Sequence, residues 1–443
     1  MSAVPEPGTT SGALVGAPVG ADGRNVARLV QETIDRLQSH WQSLVAPGLL
    51  LWFLSAFVTC ALQVGTTDIA EYHRYALAAL HAPLHSYPHE YPAPALAVFM
   101  VPLLFPVAYP WAFAVLTGAV LIALLASFAS ADGLPFDVKA AKRFLAYFTV
   151  GGIMVFTARY DIFAVAAAFW GLRAARQGRW SAAWTWSTIG AALKLFPAVF
   201  WPAFLIAEMK VTGRFPLRRL IWVAGAVVLV VGLPALFDPA AVMNVAHYYT
   251  HRPTEIGSLA SGISMIVAPS SYKVVVSYQS MNNLSPVAGS LSLGISVAAA
   301  AGCIAAWRAQ VRDRIPLEAV CLATLTLLVL GMKVLSVQYL FWMMPFWALY
   351  SYRASWLVAS FANTVIYPFS IFNAHYLFLP VHGYQVSLGL IYFARDFLVL
   401  GGTALWLRSY LTDAPLDERP RRPRSMLRRM GARAPGPSPV STP

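Results

Sequence analysis

Apolar runs separated by short polar segments fill most of the chain and predict an all-α, polytopic transmembrane bundle of about twelve helices. A helix needs about 20 apolar residues to cross the hydrocarbon core, whereas several runs here contain only 13 to 16. Short spans are tolerated where they border protein or a water-filled cavity. The short runs between residues 143 and 208 therefore indicate a cavity. The apolar runs are 46–64, 93–130, 143–158, 160–172, 181–195, 196–208, 218–237, 286–307, 316–334, 337–350, 354–372 and 387–409.

Composition excludes the soluble and disordered classes of protein. Of the 443 residues, 58% are hydrophobic and 12% are charged, whereas soluble domains contain about 45–50% apolar and about 25% charged residues. The net charge of +13 would fit a nucleic-acid partner, but the basic residues lie in turns between apolar runs and in the C-terminal tail. We therefore expect membrane lipids, and no nucleic acid, as partners of this charge.

Three regions follow from this pattern: a tail at 1–43 with a surface-lying amphipathic helix, a transmembrane domain at 44–409, and a disordered basic tail at 410–443. Cytoplasmic loops carry an excess of Lys and Arg, which places both termini inside if 93–130 makes one net crossing. A hairpin of two helices within 93–130 would break this parity. The basic segments are Lys139–Arg143, Arg173–Arg179, Lys210–Arg219, Arg308–Arg314 and Arg419–Arg433.

Two long segments, 65–92 and 238–285, are then expected outside the membrane, with shorter ones at 158–161, 335–338 and 373–386. These outer segments contain eight of the nine histidines and several carboxylates. A surface that is poor in Lys and Arg but rich in His, Tyr and carboxylates indicates a binding or catalytic site. Such residues at a membrane edge are by default functional candidates.

The first outer segment begins with Asp68, Glu71 and Tyr72 and ends with Glu90-Tyr91. Asp68 directly follows the first span, so it is expected at the membrane surface. A simpler interpretation is that Thr67 or Asp68 caps a short helix over 69–81. Histidines 81, 85 and 89 have helical spacing, but Pro83 and Pro88 interrupt that helix, and no metal-binding motif is present.

Two further groups flank the short apolar runs. Arg159-Tyr160-Asp161 separates two of them and could be either a structural ion pair or part of a site. Lys194 lies within an apolar stretch, three residues before Pro197. At the outer apex between two short helices, a lone lysine there would suit a phosphate, unless its side chain extends to the interface instead.

The remaining candidates lie in the second outer segment and beyond it. His251, Arg252 and Glu255 could clamp an anionic head group, and the weakly apolar stretch after Ser258 could form a lid or re-entrant segment. Lys333, Gln338 and Tyr339 precede an aromatic helix. Arg395-Asp396, in the last apolar run, is more simply a structural ion pair.

Phosphate-binding loops and nucleotide-binding βαβ patterns are absent from the sequence. An enzyme acting on the outer surface without nucleotides needs an activated donor already in the membrane, and a polyprenyl phosphate sugar is such a donor. Its phosphate is the leaving group, and its lipid tail lies in the bilayer.

At this point the motifs resemble those of the GT-C glycosyltransferases and, within them, glycosyltransferase family 87, the polyprenyl-phosphate-mannose-dependent α-mannosyltransferase-like proteins. The resemblance covers roughly residues 50–350 and depends on the order of five motifs. These are Asp68…Tyr72 with Glu90-Tyr91-Pro92, Arg159-Tyr160-Asp161-Ile162-Phe163, the Arg173–Arg179 turn, Ala191-Ala192-Leu193-Lys194-Leu195-Phe196-Pro197, and Ser336-Val337-Gln338-Tyr339-Leu340-Phe341-Trp342.

The sequence departs from the family pattern at three places. The usual Tyr-Pro-Pro is Tyr91-Pro92-Ala93-Pro94, and the usual proline between Ser336 and Gln338 is Val337. Gly257 stands where a glutamate is expected before Ser258. Glu255 is the candidate substitute for that acid.

The resemblance implies a GT-C fold and an inverting transfer of a hexose, most simply mannose, from a polyprenyl phosphate to a lipid or glycan acceptor on the outer face of a bacterial plasma membrane. Asp68 would be the general base, with His251 as a second candidate. Lys194, Arg159 and Arg252 would bind the donor phosphate. No cofactor or metal is expected. The expected substrate-binding residues are Glu71, Tyr72, Glu90, Tyr91, Asp161, Glu255, Gln338 and Tyr339.

Two alternatives remain open at the level of sequence. A transporter or flippase for a lipid-linked sugar or small solute would have charged residues near the bilayer midplane and at repeat-related broken helices. Here the polar residues lie at the outer ends of helices, which favours an enzyme. A catalytically inactive scaffold for other envelope enzymes is the second alternative.

Overall fold

The computed structural model confirms an all-α membrane bundle. Three predictions concern residues that lie largely or wholly outside those that the structure describes. They are the amphipathic helix within 1–43, the histidines at 85 and 89, and the tail beyond 412. Within the described ranges, the chain forms sixteen α-helices and one small sheet. The structure describes residues 31, 35, 38–62, 67–82, 87–88, 90–129, 137–153, 156–278, 280–350, 352–372 and 382–412.

The helices follow the predicted runs, with shifted boundaries. In the first half they are α1 (Ala46–Cys60, preceded by a π-helical turn at Trp41–Val45), α2 (Thr67–His81), α3 (Ala95–Met100), α4 (Tyr109–Ala129), α5 (Val138–Gly151), α6 (Asp161–Arg176), α7 (Trp180–Leu193) and α8 (Trp201–Thr212). In the second half they are α9 (Leu217–Phe237), α10 (Pro239–His251), α11 (Leu259–Val267), α12 (Pro286–Val311), α13 (Leu317–Gly331), α14 (Tyr339–Trp347), α15 (Ala354–Phe372) and α16 (His382–Thr412).

Five of the described helices are long and apolar enough to cross a membrane. The stretch 93–130 contains one of them, because α3 and a 3₁₀ turn at Val101–Leu104 end before α4 begins. Pro102 and Pro106 interrupt helical hydrogen bonding there. The five spans are Trp41–Cys60, Tyr109–Phe128, Leu217–Phe237, Pro286–Val311 and Gln385–Arg408.

The shorter helices form the interior of the bundle. Helices α6, α13 and α14 are largely buried, and their aromatic and aliphatic side chains belong to one large core. A short helix surrounded by protein does not have to match the thickness of the bilayer. This explains why α6, α13 and α14 are stable although each is too short to span the bilayer.

Segment 238–285 carries the sheet, which the all-α prediction did not include. Strand β3 (Ser280–Asn283) pairs antiparallel with both β1 (Thr254–Glu255) and β2 (Val274–Ser277). The stretch after Ser258 forms α11, whose N-terminus is capped by the Ser258 hydroxyl accepting from the Ser261 amide at 3.2 Å. Helix α11 packs against α12 and α16, so it is a fixed part of the bundle in this structure.

The basic turns and the candidate residues lie at opposite ends of the helices. Helix α6 runs from Asp161 to the Arg173–Arg179 turn, and α7 returns to Lys194. Likewise α9 and α10 lead from the Lys210–Arg219 segment to Arg252. One end of the bundle is therefore strongly basic, and the other carries the predicted site.

Candidate active site

A cavity of about 660 Å³ opens between segments 65–92 and 238–285, which were predicted to lie outside, and the ends of α6 and α7. Its wall contains five cationic side chains, of which Arg395 is fully buried, and three carboxylates, so it suits an anionic ligand that also offers hydroxyl groups. Tyrosines from four different parts of the chain complete the wall: Tyr91, then Tyr248, Tyr249 and Tyr278, then Tyr339, and Tyr392. The charged residues are Asp68, Glu90, Glu255, Arg159, Lys194, Arg252, Lys333 and Arg395.

Asp68 and Arg159 form a salt bridge at the edge of this cavity. Asp68 lies within the first turn of α2, where the helix dipole stabilises a carboxylate. It is thus not the cap that the simpler interpretation required, since α2 begins at Thr67. Arg159 Nε has no hydrogen-bond partner among the described residues, so the guanidinium has donors left for a ligand.

Lys194 lies where α7 ends. Its backbone is extended, and a 3₁₀ turn containing Pro197 follows, because proline lacks the amide that would continue the helix. The ammonium donates a 2.7 Å hydrogen bond to Asp161 Oδ1, and Trp342 Nε1 donates to the same oxygen at 2.6 Å. Lys194 is therefore not the lone cation expected from the sequence.

Aromatic rings surround the Lys194 ammonium on several sides. Cation–π attraction to such rings stabilises a charge that is withdrawn from water. The ring centroids of Trp342, Tyr160, Tyr339 and Tyr91 lie 5.1, 5.2, 5.3 and 5.9 Å from its Nζ atom. The Tyr160 hydroxyl also donates to the Leu193 carbonyl at 3.0 Å, which fixes the end of α7.

Segment 238–285 contains a group of residues joined by hydrogen bonds around Glu255. Glu255 Oε1 accepts hydrogen bonds from Ser280 Oγ at 3.0 Å and Ser336 Oγ at 2.7 Å. Its Oε2 atom lies 4.0 Å from Arg252 Nη2. Arg252 Nη1 in turn donates to the Tyr248 hydroxyl at 2.8 Å. Glu255 thus connects β1, β3 and the segment before α14.

Tyr249 connects segment 238–285 to Glu90 of the earlier segment 65–92. Its hydroxyl donates to the Glu90 carbonyl at 2.8 Å, and burial raises the pKa of Tyr249 to about 12. The phenol therefore remains a donor at neutral pH. Burial also raises the pKa of the Glu90 carboxyl above its ordinary value, although the Arg252 guanidinium opposes this shift.

Gln338 and Tyr339 line the cavity at the start of α14. Gln338 is only 8% exposed, and its Oε1 atom has no partner among the described residues. A buried amide oxygen normally accepts a hydrogen bond. Gln338 therefore offers an acceptor for a ligand hydroxyl.

Four predicted site residues do not line the cavity. Tyr72 is buried in an aromatic cluster and stacks on Phe99 at 4.5 Å, and Glu71 pairs with Arg74. Asp161 lies behind Lys194, as described above. His251 is exposed at the end of α10 and stacks on His247 at 4.0 Å.

The structure adds residues that were not among the predicted site residues. Tyr248 and Tyr249 line the cavity, and the four-residue spacing of Tyr248 and Arg252, which places two side chains on one helical face, was the available signal. Trp342 ends a family motif in the sequence, but no role was predicted for it. Arg395, interpreted there as part of a structural ion pair, also borders the cavity.

The space around Gly257 explains why the sequence departs from the family pattern at this position. A Cβ atom on this residue would lie 2.7 Å from the Leu335 carbonyl oxygen, which is too close for any side chain without movement of the backbone. The glutamate expected there would not fit between the two segments. Glu255, two residues earlier, is the acid that reaches the cavity.

In the described part of the chain, no group of three His, Cys, Asp or Glu side chains is arranged to hold a metal ion. The cavity does combine a carboxylate at its edge with cations on several sides. Such a set can accept a proton and stabilise a departing phosphate.

Similarity to a known family defines the class of this protein. Residues 89–336, more than half of the chain, match glycosyltransferase family 87. The protein belongs to this family and is a membrane glycosyltransferase, which does not support the transporter alternative. Searches of curated proteins and of solved structures gave no match.

Proposed function

We propose that the protein transfers a hexose, most simply mannose, from a polyprenyl phosphate to a lipid or glycan acceptor on the outer face of the plasma membrane. The observation that carries this proposal is the position of Asp68 beside Arg159 in a cavity that Lys194 and Arg252 also line. A base and a phosphate-binding set in one cavity are the two parts that such a transfer needs.

In the proposed reaction Asp68 takes the proton of the acceptor hydroxyl. The acceptor oxygen attacks the anomeric carbon and forms the new glycosidic bond with inversion. The bond between that carbon and the phosphate oxygen breaks, and polyprenyl phosphate leaves with the electron pair. The proposal gives the base role to Asp68 rather than His251, because His251 lies outside the cavity.

Arg159 has two roles in this mechanism. Its salt bridge orients the Asp68 carboxylate, and its remaining N–H groups reach the donor phosphate. The base and the leaving group are then held on one planar guanidinium, a geometry that arginine supports and lysine does not. Lys194 and Arg252 stabilise the charge that develops on the phosphate.

The other cavity residues bind the sugar and the acceptor in this account. Glu90, Tyr91, Glu255, Gln338 and Tyr339 line the wall and offer hydrogen bonds to hydroxyl groups. Asp161 and Tyr72 hold Lys194 and the aromatic cluster in place. Glu71 remains a candidate acceptor contact at the margin. We propose no metal or cofactor for this chemistry.

The two ends of the bundle support the proposed orientation in the membrane. Basic turns favour the cytoplasm, and they lie at the helix ends opposite the cavity. This supports an orientation in which the cavity opens toward the outer face and both termini lie in the cytoplasm. Nucleotide sugars are cytoplasmic, so this orientation favours a lipid-linked donor.

The test compares donors with the purified enzyme in lipid nanodiscs. Labelled polyprenyl phosphate mannose, polyprenyl phosphate arabinofuranose and guanosine diphosphate mannose are each supplied with a lipid extract as acceptor. We expect transfer from the mannose lipid and none from the nucleotide sugar. Transfer from the arabinofuranose lipid alone would correct the sugar, and transfer from the nucleotide sugar alone would overturn the proposal. Failure of both lipid-linked donors would also overturn it.

A further inference from the structure

A buried arginine in the last helix is tied to both segments that frame the cavity. Arg395 in α16 has no exposed surface, and its Nε atom donates to Asp396 Oδ1 at 2.8 Å. Its Nη2 atom donates to the Gly257 carbonyl at 2.6 Å. Withdrawing two charges from water costs free energy that the ion pair only partly offsets, so a role beyond stability is worth seeking.

The second connection runs through Asn363 in α15. Arg395 Nη1 lies 3.5 Å from Asn363 Oδ1, and Asn363 Nδ2 donates to the Val337 carbonyl at 2.9 Å. Val337 directly precedes Gln338, and Gly257 follows Glu255 by two residues. One guanidinium thus connects the backbones on which Glu255 and Gln338 are mounted.

The contact between these two backbones is tight. A Cβ atom at Gly257 would lie 2.7 Å from the Leu335 carbonyl oxygen, and the Glu255 amide donates to the Lys333 carbonyl at 2.8 Å. The segments 254–258 and 333–339 therefore touch directly. Arg395 lies behind this contact and holds a carbonyl of the first segment and, through Asn363, a carbonyl of the second.

We propose that Arg395 is a positioning residue, which sets the register of segments 254–258 and 333–339 so that Glu255 and Gln338 face the substrate. Asp396 neutralises the arginine and orients it. The inference depends on the proposed function only in assuming that substrate occupies this cavity. It does not depend on the identity of the sugar.

The main test replaces both charges by apolar side chains of similar size, Arg395→Met with Asp396→Leu. Such replacements of buried ion pairs are often neutral or stabilising, so the fold is expected to survive. We expect kcat to fall about 100-fold, because small misplacements of substrate-binding groups have effects of that size. Backbone amides in 254–258 and 333–339 should exchange hydrogen faster than in the wild type.

A matched control is available at the other end of the bundle. Arg176 Nη1 and Glu318 Oε2 form a largely buried ion pair at 2.6 Å, close to the basic turn after α6. The double variant Arg176→Met with Glu318→Leu should keep kcat within threefold of the wild type and leave exchange in 254–258 unchanged. Equal losses in the two double variants would mean that ion-pair loss acts through general stability, and would overturn the proposal.

Arg395→Lys keeps the test decisive if the first double variant does not fold. Lysine preserves the charge beside Asp396, but one ammonium does not reproduce the planar fork that contacts both Gly257 and Asn363. We expect a folded protein with reduced kcat and faster exchange in the two segments. Wild-type kcat and wild-type exchange would overturn the proposal. The exchange measurement needs no donor, so it remains informative even if the proposed donor is wrong.

Discussion

Lys194, in the cavity wall, and Asp161, behind it, form a 2.7 Å ion pair, and only 13% and 2% of their side-chain surfaces are exposed. The pair joins the end of α7 to the beginning of α6, and Trp342 of α14 donates to the same carboxylate oxygen. The cation that we assign to the donor phosphate is thus held by the packing of three helices. Removing this cation should lower both stability and activity, and a second substitution should restore the stability alone.

Lys194→Met leaves the Asp161 carboxylate buried without its cation. Breaking one partner of a buried pair costs about 3–5 kcal/mol, so we expect a clear fall in the thermal unfolding midpoint together with loss of activity. Lys194→Met with Asp161→Asn should recover most of the stability but no activity. Lys333→Met, which removes a more accessible cation of the same cavity, should cost little stability. Activity in the stable double variant would remove Lys194 from the phosphate-binding set.

Arg159 and Asp68 should behave as one catalytic unit. Arg159→Gln leaves the Asp68 carboxylate without its orienting partner, and we expect a loss of about 100-fold in kcat. Groups that act together are non-additive, so Arg159→Gln with Asp68→Asn should be no slower than the slower single variant. Arg179→Gln, at the opposite end of the bundle, is the control. Additive losses measured in single-turnover assays would show that the two residues act independently.

Glu90 should make stability depend on pH. Its folded-state pKa is raised by burial above the ordinary 4.5, so the folded protein favours the protonated carboxyl. Stability from this group is present below pH 4.5 and is lost as pH rises through the folded-state pKa. Glu90→Gln should therefore raise the unfolding midpoint relative to the wild type at pH 7.5, with a smaller gain at pH 5. A gain that shrinks as pH rises would contradict the raised pKa.

Orientation can be tested with two matched valines. Val276 in β2 is 68% exposed near the cavity, and Val211 in α8 is 70% exposed near the basic end. The native cysteines are all buried and can be replaced by alanine. A membrane-impermeant maleimide applied to intact cells should label Val276→Cys and not Val211→Cys. The reverse pattern would place the cavity on the cytoplasmic side.

Much of the fold was predictable because hydrophobicity is a local property. Run lengths predicted α4, α9 and α12 as spans and pointed to a cavity among the short helices. The three-stranded sheet gave no signal, since its strands have two to four residues and β1 pairs with β3 across more than 20 positions of sequence. Such pairing depends on tertiary contacts rather than on local pattern.

The charged residues of the candidate site could be predicted from the sequence, but the residues that they contact could not. Asp68, Arg159, Lys194 and Arg252 are conspicuous as ionisable groups at membrane edges. That Asp161 binds Lys194, or that Arg395 reaches Gly257, depends on how distant helices pack. These contacts join residues 33 and 138 positions apart, which residue spacing does not encode.

The most direct test of the account is the rate of mannose transfer from polyprenyl phosphate mannose by the wild type and by Asp68→Asn, at matched protein levels in nanodiscs. Asp238→Asn, the same change in a residue outside the cavity lining, is the control. Because positioned proton transfer contributes about 10²–10⁴-fold, the account predicts a loss of that size for Asp68→Asn and near wild-type rates for Asp238→Asn. An Asp68→Asn rate within threefold of the wild type would contradict it.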